Sequence, residues 1–130
     1  MTGDFLVVVG AGSLRSSDPG AMQFPHRWTE GGVTVESDYT GAHLLHLAAA
    51  GCVLNDLYRE AAGLGIPVDG ARVSAAGGFT DSWASTGVNY MVEVRSAASA
   101  EDLAHLIQVV DEVAEIPRSI RAGAPVQRIP

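Results

Sequence analysis

A single residue in this chain carries a soft nucleophile: Cys52, the only cysteine among 130 residues. A thiol acts as a nucleophile or redox centre through its thiolate, and a thiolate at neutral pH needs a cation or a helix N-terminus to hold its charge. Cys52 lies too far inside the helical run around it for that helix's own dipole to help. The cation must therefore come from another segment, and Arg27 and Arg15 are the upstream candidates. Without a cation the same cysteine is a small buried hydrophobe, the usual fate of a lone thiol. Spacing alone leaves both readings open.

His43 and His46 are the next candidates, as a metal pair or as a base, because positions three apart share a helix face. Cys52 points about 180° away from His43 and about 120° away from His46 around the same helix, so the three cannot converge from it. H-x-x-H also matches no standard zinc spacing. They are expected to be packed or interfacial histidines, with no metal and no cofactor. His105 reads as a solvated helix residue and His26 is undecided. Glu112 and Glu115 read as solvated charges. There is no phosphate-loop or nucleophile-elbow motif, and Gly10-Ala11-Gly12 does not extend to a dinucleotide fingerprint.

These residues need elements to hold them. Thr40–Gly65 has helical periodicity, with Leu47, Ala50, Leu54, Tyr58 and Ala61 near the direction of His43. From Leu44 to Leu54 nearly every direction is apolar, which predicts a buried central helix. Asp38 or Thr40 can cap its start, and Gly63, Gly65 and Pro67 end it. Cys52 falls on the arc that turns polar one turn later with Asn55, Asp56, Arg59 and Glu60, so the thiol is expected at a partly polar seam. Ahead of the helix, Phe5–Val9, Met22–Trp28 and Val33–Ser37 read as strands, joined by a Gly/Ser/Pro-rich loop from Gly10 to Ala21. After it, Ala71–Ala76 and Val88–Arg95 alternate as an antiparallel pair. Ser99-Ala-Glu-Asp resembles a capping box for an amphipathic helix with Leu103, Leu106, Ile107, Val110, Val113 and Ala114 on one stripe. Pro117 breaks that helix and starts a short turn through Ile120; Ala124–Ile129 is a last strand or an ordered tail. The order is α+β rather than alternating βαβ, in one domain spanning 1–130.

Composition narrows the partners. The formal charge is −7, and the basic residues are scattered arginines with no lysine. That excludes nucleic acid and anionic membranes, which need clustered cations. The longest apolar run is too short to span a bilayer. Met1–Gly10 lacks the charge and apolar length of a signal peptide. With one cysteine, a reducing, cytoplasmic setting is expected.

The run His43-Leu-Leu-His-Leu-Ala-Ala-Ala-Gly-Cys52-Val-Leu-Asn-Asp-Leu resembles the core of the OsmC/Ohr family, where a long central helix carries a reactive cysteine among small residues. The two long strands, the late helix at Ser99 and the segment Val113-Ala-Glu-Ile-Pro117 resemble the family in the same order. Gln23-Phe-Pro-His-Arg-Trp28 resembles the segment that brings the family's arginine to the thiolate. The resemblance implies an antiparallel sheet packed around the long helix, in an intertwined homodimer. It also implies reduction of organic hydroperoxides, with Cys52 as peroxidatic thiol, Arg27 as its activating cation and Arg15 as a weaker candidate for that role.

Two positions depart from the family. Its second cysteine aligns with Ile116, which cannot resolve a sulfenic acid. Its helix-entry carboxylate is replaced around Ala42, leaving Glu30 or Glu36 to hold the arginine. The two-cysteine cycle is thus excluded for the chain alone. The expected function is a one-cysteine peroxidase using an external thiol reductant. The alternatives are a non-redox enzyme using Cys52 with His43 or His46, and a scaffold that binds a small apolar ligand without turnover.

Overall fold

The computed structural model describes residues 1–130. Eight elements follow in order: β1 (Val7–Gly12), β2 (Met22–Phe24), β3 (Val33–Glu36), α1 (Gly41–Leu64), β4 (Gly70–Ala76), β5 (Asn89–Arg95), α2 (Ala100–Val113) and α3 (Glu115–Ala122). The strands form one sheet in the order β2-β3-β1-β4-β5, antiparallel throughout. This is the expected α+β arrangement, with β4 and β5 paired as their alternation predicts.

β1 is central: Val9 pairs with Val35 on one side and Val73 on the other. Alternation then sorts the side chains. Val7, Val9, Val35, Ala71, Val73 and Ala75 point to one face and pack with α1 into the core. Thr34, Gly10, Arg72 and Glu93 form a cross-strand row on the opposite face.

α1 has the boundaries its caps dictate. Thr40 Oγ1 accepts from the His43 amide at 3.1 Å, and Gly65, at φ 69°, turns its N–H back to the last carbonyls. Its core side carries His46, Ala50, Val53 and Leu57. Within one chain the helix is not covered on every side. Leu44 is 39 % exposed, Ala48 is exposed and Gly51 faces open space. One chain has a single sheet and two short helices to cover a 24-residue helix, and they reach only one side of it.

The smaller differences have local causes. β1 starts at Val7 rather than Phe5, because Phe5 adopts φ 52°. β2 stops at Phe24, ahead of Pro25, which lacks an N–H for a ladder. α3 begins at Glu115, ahead of Pro117, because proline is tolerated in a first turn where no intrahelical N–H is required. Ala124–Ile129 forms no strand and lies exposed. No helix is long and apolar enough to cross a membrane.

Candidate functional site around Cys52

Cys52 lies half-buried on the less-covered side of α1. Its Sγ donates to Asp56 Oδ2 at 3.8 Å, one turn further along the helix. Asp56 is fully buried, a carboxyl group at an otherwise apolar depth. Burial without partners would be prohibitive, and Asp56 has several. Arg59 approaches Oδ2 at 3.0 Å and the Asn55 amide donates to Oδ1 at 3.3 Å. The start of α3 closes the group. Glu115 brings a carboxylate oxygen within 4.8 Å of both the sulfur and the Asp56 carboxyl, and the Ile116 backbone lies beside the thiol. Ligand atoms of Cys52, Asp56 and Glu115 all lie within 4.8 Å of one another.

This arrangement shifts the pKa values of its members. Burial pushes the Cys52 thiol up to about 11; the Ile116 backbone opposes this, while Asp56 and Glu115 reinforce it. Two carboxyl groups this close raise the cost of ionising both, and burial adds to that cost for Asp56. Asp56 is raised, first by burial and then by Glu115, against the pull of Asn55 and Arg59. Glu115 is lowered, first by its own backbone N–H and then by Asp56. Cys52, Asp56 and Glu115 are also the one set whose donor atoms converge as metal ligands would, although Arg59 already pairs with Asp56.

The other candidates stand elsewhere. Arg27 lies beyond β2, exposed, with its guanidinium 5.5 Å from the Trp28 ring centroid. Arg15 donates to the carbonyls of Gly12 at 3.4 Å and Gly31 at 3.1 Å. Neither is among the groups that set the thiol's pKa. Glu30 is exposed in the turn before β3. His43 Nδ1 is 2.6 Å from Thr40 Oγ1, Nε2 is 3.9 Å from Asp38, and the ring sits edge-on to Phe5. His46 is fully buried, with Nδ1 donating to the Phe5 carbonyl at 2.8 Å and Nε2 without a partner. Both histidines thus hold the N-terminal segment to α1. His105 is exposed, as expected.

The undecided His26 has a defined place: its ring stacks edge-on to Tyr58 and its Nδ1 is 2.8 Å from Thr29 Oγ1. With Phe24, Leu47, Gly51 and Asn55 it lines a mainly apolar cavity of about 290 Å³ between the sheet and α1. Cys52 is not among the residues that line it. The sequence reading missed Asp56 and Glu115. For Asp56 a signal existed, since positions four apart on a helix are neighbours. For Glu115 there was none, because its contact is tertiary.

No protein-family model and no curated protein sequence matches the chain. Among solved structures it is similar to an OsmC-like hydroperoxide resistance protein from Jannaschia sp. CCS1. The TM-score is 0.51 at 11 % sequence identity, over 95 % of this chain and 89 % of that one. Residue roles do not transfer at such identity, but the arrangement of elements does, and the sheet, the long helix with Cys52 and the late helices together have the OsmC-like fold.

Proposed function

We propose that the chain is an OsmC-fold thiol peroxidase that reduces organic hydroperoxides at Cys52 by a one-cysteine cycle, with an external thiol as reductant. The observation that carries this reading is a half-exposed thiol, on the less-covered side of the central helix, hydrogen-bonded to a buried carboxyl group. A neutral nucleophile of this kind is activated by an adjacent base rather than by a low pKa of its own. Asp56, in its ionised form, is the base that accepts from the thiol. The sulfur attacks the terminal peroxide oxygen: an S–O bond forms, the O–O bond breaks, and the sulfur is oxidised by two electrons. The thiol proton passes to the carboxyl pair, the alkoxide leaves, and a proton returned to it releases the alcohol. One external thiol converts the sulfenic acid to a mixed disulfide with loss of water, and a second releases Cys52 and a small-molecule disulfide.

The working form in this reading is a homodimer whose second copy covers Leu44, Ala48 and Gly51, the surface of α1 that one chain leaves bare.

Asp56→Asn tests the mechanism, because two accounts give opposite signs. Removing the carboxylate lowers the thiol pKa. A thiolate-driven reaction would therefore speed up at pH 7. The base-assisted reaction slows by about 100-fold, the usual scale of a positioned base. Cys52→Ser abolishes turnover.

A second reading rests on the same acidic surroundings: a thiol held protonated suits a scaffold that binds a small apolar ligand without turnover. A rate of Cys52 oxidation by cumene hydroperoxide at pH 7 no faster than that of free cysteine would select it over the peroxidase.

A further inference from the structure

The face of the sheet away from α1 carries a second polar site. Gly10, in the middle of β1, stands between Thr34 and Arg72 in the cross-strand row. A Cβ at Gly10 would run into the Leu14 carbonyl. The missing side chain therefore lets the loop after β1 fold down onto the sheet, with Leu14 buried at its turn. The Ser16 amide donates to Thr34 Oγ1 at 2.7 Å, Thr34 Oγ1 donates to the Gly10 carbonyl at 3.3 Å, and the Ser16 hydroxyl is bonded to Glu36. Between loop and sheet remains a recess of about 230 Å³, walled by Arg15, Ser16, Ser17, Thr34, Glu36 and Arg72. It differs in kind from the apolar cavity beside α1.

Two guanidinium groups line this recess against one carboxylate, with Glu93 beside Arg72 just outside the wall. Arg15 is fixed through Nε and one terminal nitrogen on backbone carbonyls, which leaves its positive charge without a carboxylate and its other terminal nitrogen available. Arg72 reaches Glu93 through a single nitrogen at 3.5 Å, the outer limit of a hydrogen bond, and keeps Nε and its second terminal nitrogen. Glu36 is the one carboxylate in the wall. Two guanidinium groups with donors to spare, one of them already immobilised, favour an anion that accepts several hydrogen bonds at once.

We propose that this recess binds a tetrahedral oxyanion, a phosphate or sulfate group, held by Arg15 and Arg72 with the Ser17 hydroxyl as a third donor. The site is independent of the thiol, which lies on the other side of the sheet.

Isothermal titration of the full chain with inorganic phosphate, at ionic strength fixed with chloride, tests it. Saturable binding at one site per chain is expected. Arg15→Met and Arg72→Met each weaken it about tenfold or more, as loss of a charge-assisted hydrogen bond should. Glu36→Gln tightens it, because the competing carboxylate is gone. Arg72→Lys, which keeps the charge and the fold, retains part of the affinity. Titration with glycerol 3-phosphate separates the sources: tighter binding assigns the recess to a phosphate ester, weaker binding to the free ion. Heats that never saturate, or an affinity unchanged in both methionine variants with native circular dichroism, would overturn the proposal.

Discussion

At the scale of single residues the chemistry turns on how Cys52 shares its surroundings with two carboxyl groups. Its thiol is raised from 9.0 to about 11, with burial the largest cause. Such a group stays neutral in the folded state over a pH range in which it would ionise in the unfolded one. Its contribution to stability is therefore complete below about pH 9 and is lost as pH rises toward 11. Thermal melts across that window should show a decline in wild type that is smaller in Cys52→Ser. Alkylation of Cys52 should likewise be slow at pH 7 and accelerate toward pH 11. Arg27→Met should leave that titration unchanged in the monomeric chain, because the guanidinium rests on Trp28 rather than near the sulfur. The nucleophile was legible in the sequence because it is the only one. Its electrostatic partner was not, since a cation expected from the family pattern gave way to a carboxyl group one helical turn along.

At the scale of elements, α3 does the most for the site. Its first turn brings the Ile116 backbone to the sulfur and Glu115 to Asp56. Ile116→Cys should therefore place a second thiol close enough to Cys52 for a disulfide, which requires α-carbons within about 7 Å. Mild oxidation should yield an intramolecular bridge, seen as loss of both free thiols in a monomeric species; persistence of two thiols would place the segment further away. Thr40→Ala should cost about 1 kcal/mol by removing the cap of α1, read as a shift in denaturation midpoint. The helices and strands were readable because their periods and caps are local properties. The site's closure was not, because the packing of the short helix around Pro117 back onto α1 is a tertiary contact that no local pattern announces.

At the scale of the whole molecule, the side of α1 left bare is where a second copy is expected. Gly51 offers the test, since a Cβ added there meets nothing in its own chain. Gly51→Leu should leave the folded monomer intact, with a gain in helix propensity of up to about 1 kcal/mol. It should also shift sedimentation from dimer to monomer, because the added bulk keeps the helix faces apart. Unchanged assembly would locate the contact elsewhere. The sequence announced this face indirectly: its apolar character all round α1 exceeded what one chain has the elements to cover.

The central place of β1 also has a consequence in time. The strand is made first, but its partner β4 emerges only after all of α1, so Val9 must wait for Val73 to be synthesised. Until then β1 can pair only with β3, and a valine-rich edge stays unpaired. Pairings so distant in sequence slow folding, since a long loop must close before they form. Refolding of the purified chain should therefore be slow for its size and prone to aggregation at high concentration. Deleting β4 and β5 should give a chain that associates through β1 instead of folding.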